Sequence, residues 1–434
     1  MKKLVILAAI FAALAAFVYF YEIEGEEARE KAEELEQSLL RLGEEEVLSV
    51  QISQTGKEPV QLEKEEALWV LKGPVQTDAD GGNADSLIGT LKGARRTRTI
   101  EEPGEDLSKF GLVEPVAEVK VGTGAGETTV QVGARDYTGN LIYCRIPGGS
   151  EVFLTSTSLL TSIDKDLYHW RDKTALSFDK AVVEEIEINS PSERVLLEKI
   201  DDEWFLKSPI EDRADQSEIS SLLSSLEFAE VQEFVSEDSE ELAVFGLDVP
   251  ELTVRVRHAG QVSSHQLDLG AVDGELRFAR NRRKPAVFKV KAELADNLVK
   301  ELWAFRDKEI VDVEQDQVSS LKIEQGESRI VLRRDELTWI IDEPEEQKDK
   351  EALSYKVWYP IDDIKFESVV DSEEFPPAGV VLTLQLSDGG ERRIEFGCVE
   401  EECFARKVES GRMGRVSKAD YDKLIGITPD SITE

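Results

Sequence analysis

The stretch TDADGGNAD at residues 77–85 sets Asp78, Asp80 and Asp85 within nine positions, an oxygen-rich group of the kind that holds a hard cation. Counted from Asp78, a helix–loop–helix calcium site needs an oxygen ligand fifth, a glycine sixth and a glutamate twelfth. This chain offers Gly82, Asn83 and Gly89 there. The corresponding stretch EDRAD at 211–215 keeps only the Ala-Asp pair ahead of a leucine-patterned run, so Asp80 and Asp215 read as helix N-caps. GTGAG at 122–126 joins two alternating strands and lacks the Lys-Ser/Thr of a phosphate loop, which makes it a hairpin turn. His258 and His265 flank the turn AGQVSS and can face each other across a ladder, but two imidazoles without a third ligand do not define a metal centre. No serine lies in a nucleophile elbow and no spacing singles out an acid/base pair of carboxylates. No catalytic residue, metal or cofactor is therefore expected.

Three arginines recur on one kind of strand: Arg145 in YCR, Arg280 in FAR and Arg406 in FAR. A cross-strand ion pair is the plainer role, and a ligand-facing arginine in each of three equivalent concave pockets is the sharper one. Cys398 and Cys403 flank VEEE in an expected hairpin, where a disulfide is geometrically possible in an oxidising compartment. Free thiols are the alternative.

These residues sit on a framework written three times. WVLKGP at 69–74, WFLKSP at 204–209 and WIIDEP at 339–344 begin at Trp69, Trp204 and Trp339, and both 204 − 69 and 339 − 204 give 135. Phe110-Gly111-Leu112 matches Phe245-Gly246-Leu247, and Arg171-Asp172-Lys173 matches Arg306-Asp307-Lys308, at the same offset. From Pro250 to Pro377 and from Gly270 to Gly397 the offset is 127, as one eight-residue deletion produces. A period this long indicates tandem domains rather than a thin solenoid.

Each copy reads as a strand, a hairpin whose second strand carries the inward tryptophan, a proline stop, a capped amphipathic helix, a strand, the Phe-Gly-Leu turn, four more strands and a last helix. In that helix, SLLTSIDKDLYHWRDK in the first copy, Arg-Asp-Lys is expected near the C-terminus, where cations oppose the dipole. The class is α+β, with mainly antiparallel sheet and two helices per repeat.

The expected boundaries are 1–21 for a transmembrane anchor, 22–46 for an acidic helical stalk, and 47–178, 179–311 and 312–434 for the three repeats. The anchor rests on MKK followed by eighteen uncharged residues, 4–21, which span about 27 Å as a helix. Lys2 and Lys3 keep the N-terminus cytoplasmic, and the run ends in aromatic residues suited to a bilayer interface. A cleaved signal peptide begins similarly, but its apolar run is shorter. The charge dominates the stalk, which reads as a solvated helix able to pair with another copy. With 90 acidic against 52 basic residues the net charge of −38 excludes nucleic acid as a natural partner.

The anchor, the W-x-L-x-x-P strand, the Ala-Asp helix start, the F-G-L-x-x-P turn and the W-R-D-K ending together resemble the bacterial family of domain of unknown function 4340. The resemblance covers residues 47–311 well and the third repeat loosely. It implies a single-pass protein of the bacterial cytoplasmic membrane with its bulk outside, beside an ABC-2 type or gliding-motility-type transporter, and carries over no catalytic residue. A non-catalytic binding or scaffolding protein is the expectation, its partner a permease or auxiliary subunit. A polysaccharide or peptidoglycan hydrolase, which needs a deep cleft with paired carboxylates, and a ligand-binding module using the three arginines are the alternatives.

Overall fold

A computed structural model describes residues 33–433 apart from 43–44, 239, 337 and 371–373. The expected anchor, 1–21, lies outside the described residues; among those described, no helix is long and apolar enough to cross a membrane.

In the first repeat the strands are β1 (Val47–Gln54), β2 (Val60–Glu65), β3 (Leu68–Gly73), β4 (Thr77–Asp78), β5 (Arg98–Ile100), β6 (Ala117–Thr123), β7 (Gly126–Arg135), β8 (Leu141–Arg145) and β9 (Val152–Ser156). They form one nine-stranded sheet in the order β4-β3-β2-β1-β6-β7-β8-β9-β5. The pairs described are antiparallel. The period-two alternation of these segments explains the register: Leu71 opposes Leu62, Leu62 opposes Val50 and Val50 opposes Val121, one buried row across four strands. The row recurs as Leu206, Leu197, Ile186 and Val256, and again as Ile341, Leu332, Leu321 and Leu384. Each such side chain contributes on the order of 1.5–3 kcal/mol of burial, which is why the pattern survives in all three copies.

The second and third sheets also hold nine strands in the same order. By contacts the chain forms two compact units, Met1–Ser177 with Phe228–Pro250 and Leu269–Ala292, and Phe178–Glu227 with Glu251–Asp268 and Glu293–Glu434. All three indoles of the repeated strand are buried, Trp69, Trp204 and Trp339. The prolines that close those strands each follow a cis peptide bond, at Gly73-Pro74, Ser208-Pro209 and Glu343-Pro344.

Two features differ from the sequence reading. The fold is sheet-dominated, with short helices: α1 (Gly81–Gly93), α2 (Ser158–Ile163) and α3 (Leu167–Trp170) in the first repeat. The single terminal helix expected there is broken at Asp164-Lys165-Asp166, and Arg171 is already extended, with φ −85° and ψ 145°. Arg-Asp-Lys therefore caps no helix dipole; Arg171 pairs with Ala79 and Arg306 with Ala214 as isolated antiparallel bridges. Second, Leu39, Leu40 and Leu42 are buried in the first core rather than displayed on a solvated stalk, because Leu39 N donates to Ala94 O and Arg96 N to Gln37 O. Charge density along the segment hid a short apolar run that a sheet edge could bury.

The last repeat is shortened. The shortening falls after Ser368–Val369, between segments that keep the two spacings of the repeat. The first two copies place there a 3-10 turn ending in Gly111 and Gly246, both at φ 66°. Its phenylalanine carbonyl lies 2.3 Å from where a Cβ would stand on Gly133 or Gly270. In the third copy the carbonyls of Pro376 and Pro377 take that place, 2.8 Å from a Cβ on Gly397. Eight residues were removed without giving up the close backbone approach.

Candidate functional site

The extended segment after α3 is where charge gathers in the first unit. Asp80 N donates to Trp170 O at 2.9 Å and Asp172 N to Asp78 O at 3.1 Å, so the segment lies along β4. Further on, Ala175 N donates to Ala229 O at 3.0 Å and Val231 N to Lys173 O at 2.8 Å. The loop after the strand Leu276–Asn281 completes the enclosure, with Asn281 Nδ2 donating to Ala175 O at 3.1 Å. The result is a cleft of about 170 Å³ lined by Thr77, Asp78, Arg171, Asp172, Glu237 and Lys284, with Phe234 and Phe288 on its apolar side.

The guanidinium of Arg171 is buried, with 4% of the side chain exposed. Its two terminal nitrogens clamp the Glu237 carboxylate, one at 3.0 Å and one closer, and its plane lies 3.4 Å above the Phe234 ring. Lys284 Nζ bridges Asp78 at 2.9 Å and Asp172 at 3.1 Å. Burial pushes the Lys284 ammonium toward neutrality, but the hydrogen bond and charge of the two aspartates prevail and hold its pKa above the ordinary lysine value. Asp80 caps α1 by accepting from Asn83 N at 2.9 Å and pairs with Lys173 at 2.5 Å. Burial raises its pKa, and the Lys173 and Asn83 hydrogen bonds more than reverse this, leaving it below the usual aspartate value.

The second unit carries the same segment 135 residues on, with different counter-ions. Asp212, the position of Thr77, accepts from Arg306 Nε at 2.6 Å and is also held by Arg412. Arg412 reaches Asp307 O at 2.6 Å, while Arg213 contacts Asp307 at 3.3 Å and Glu309 at 3.5 Å. Lys308 pairs with Asp215 at 2.8 Å, as Lys173 does with Asp80. Burial and the Asp307 charge raise the pKa of Glu309.

The residues expected to act do not converge. Arg145 donates to Gly149 O at 3.0 and 3.3 Å, pinning its own hairpin loop. Arg406 donates to Glu395, its cross-strand partner, at 2.5 Å and lies 4.5 Å above the Phe375 ring. Arg280 opposes Val287 inside its sheet, and its Nε is buried without a hydrogen-bond partner among the described residues. His258 and His265 do face each other, with ring centroids 4.6 Å apart, and His258 Nε2 accepts from Asp179 N. Among the described residues no group of three or more His, Cys, Asp or Glu is placed to hold a metal ion. Cys398 and Cys403 oppose each other across their hairpin and are joined as a disulfide, Cα to Cα 4.1 Å. Sequence reasoning did not single out Arg171, Glu237 or Lys284 as a group. Only the repeated Arg-Asp-Lys hinted at them.

Every carboxylate on the first unit's cleft is held against a cation, so the cleft offers charge and planar hydrogen-bond recognition. Tandem nine-stranded antiparallel modules carrying such ion-paired segments define a modular sheet-repeat protein. The family model for the domain of unknown function DUF4340 matches residues 69–211 and 204–380, each match beginning at a repeated tryptophan. The chain belongs to that family. No curated protein and no solved structure matches it.

Proposed function

We propose that this is a non-catalytic binding or scaffolding arm held on the outer side of a bacterial cytoplasmic membrane, an accessory component of a membrane complex of the ABC-transporter type. The observation that carries the reading is the threefold module itself. Repetition of one sheet sets similar surfaces in series, and weak contacts made by linked copies multiply in strength. The apolar run at 4–21 behind Lys2 and Lys3 supports an anchored chain with its bulk outside. The Cys398–Cys403 disulfide suits an oxidising compartment, and the net charge of −38 suits a surface that must stay soluble in a crowded envelope.

Site-specific photocrosslinking in intact cells, from residues on each repeat, tests this. Capture of a permease, an ATPase or an auxiliary membrane subunit is the expected result. Capture of glycan alone would defeat it in favour of an envelope hydrolase.

A further inference from the structure

The two Arg-Asp-Lys segments differ in what meets the Nε of their arginine. In the second unit, Arg306 Nε donates to Asp212 at 2.6 Å, and Asp212 is enclosed, with 10% of its side chain exposed. The equivalent of Asp212 in the first unit is Thr77, and the equivalent atom, Arg171 Nε, is buried with no hydrogen-bond partner among the described residues. Leaving such a donor unsatisfied is costly, and more so for a charged group. The remaining nitrogens of Arg171 are occupied by Glu237, a half-exposed side chain just beyond the strand Glu233–Ser236. Thr77 and Arg171 both line the cleft of about 170 Å³. Its apolar side is aromatic, and Lys284 adds a second cation.

We infer that this cleft is a binding site for a small organic carboxylate with a flat apolar body. The carboxylate takes the place that Asp212 fills in the second unit and accepts from the guanidinium of Arg171. Its apolar body rests against Phe234 and Phe288. A guanidinium already stacked on a ring is held in place to donate its remaining Nε–H, and a ligand that supplies the missing partner removes the cost of the orphaned donor. Glu237 is the resident competitor: its negative charge sits on the same guanidinium and opposes an incoming anion. The site stands apart from the scaffold reading, since it concerns the first unit alone and needs no membrane partner.

The test uses the full chain in a mild non-ionic detergent at constant ionic strength, titrated calorimetrically with phenylacetate and with the isosteric neutral phenylacetamide. Saturable binding of phenylacetate, with at least about tenfold weaker binding of the amide, is expected. Thr77→Asp installs the counter-ion of the second unit and should abolish binding while raising the unfolding temperature. Glu237→Gln removes the competitor and should tighten binding about tenfold. Arg171→Lys should abolish it, and because that variant can also disturb folding, Thr77→Asp and Glu237→Gln are the deciding pair. Failure of phenylacetate to saturate, equal binding of the amide, undiminished binding in Thr77→Asp, or tighter binding of inorganic phosphate than of phenylacetate each overturns the assignment.

Discussion

The indole N–H of Trp69 donates to the carboxylate of Asp85 at 3.0 Å, tying β3 to the first turns of α1. The same place is taken by Ser220 and Tyr355 in the other repeats. Trp339 Nε1 is buried with no hydrogen-bond partner among the described residues, its ring stacked on Trp358 with centroids 6.3 Å apart. The repeated buried indole is thus hydrogen-bonded at Trp69 and unpartnered among the described residues at Trp339. Asp85→Ala should lower stability by about 1 kcal/mol, the net value of such a bond. Urea unfolding followed by tryptophan fluorescence checks this, as a lower midpoint at unchanged slope.

Asp215 caps its helix by accepting from Glu218 N at 3.0 Å and pairs with Lys308. Burial favours its protonated form, but the Lys308 ammonium and the Glu218 amide outweigh burial and depress the pKa. A carboxyl depressed on folding stabilises fully above its unfolded pKa, about 3.9, and loses that contribution as pH falls through the lower folded value. Asp215→Asn keeps the cap and removes the charge. Its deficit against the parent should hold from pH 7 to about 4 and vanish below, measured by unfolding temperature across that range.

Gly133 and Gly270 lie where a Cβ would meet a phenylalanine carbonyl at 2.3 Å, whereas Gly124 faces open space. Alanine at 133 or 270 should destabilise by about 1–3 kcal/mol through overpacking, and alanine at 124 should be close to neutral. Parallel denaturation of the three variants decides it.

The Cys398–Cys403 bridge closes a loop of sequence separation 5, so loop-closure entropy limits its effect to about 2 kcal/mol or less. Cys144 is fully buried, and burial pushes its thiol up to about 12. Maleimide should label no cysteine in the native oxidised protein, one, Cys398, after reduction of the folded chain, since Cys403 is also buried, and three only after unfolding. Mass spectrometry counts the adducts.

Much of the architecture was legible because its signals are local. Alternation of apolar residues marked the strands, the 135-residue period marked the copies, and Ala-Asp ahead of a leucine run marked the caps that Asp80 and Asp215 make. The broken terminal helix was not legible: SLLTSIDKDLYHW has helical spacing, but it breaks at Asp164-Lys165-Asp166 and Arg-Asp-Lys leaves in extended form. Nor was the burial of Leu39, Leu40 and Leu42, beginning where Leu39 N meets the Ala94 carbonyl far along the chain. The arginines at 145, 280 and 406 drew attention by recurring, yet repetition there follows a shared strand position and not a shared contact.

By itself the sequence determined which segments become strands and that one module is built three times, since side-chain alternation and internal recurrence are properties of neighbours along the chain. Tertiary structure alone decided that the strand at Arg98–Ile100 closes the far edge of its sheet beside β9, and that Lys284 reaches Asp172, 112 residues away. Which counter-ion meets Arg171 is likewise a matter of distance in space. Coulomb attraction and desolvation depend on that distance and on burial, and neither is written in the order of residues.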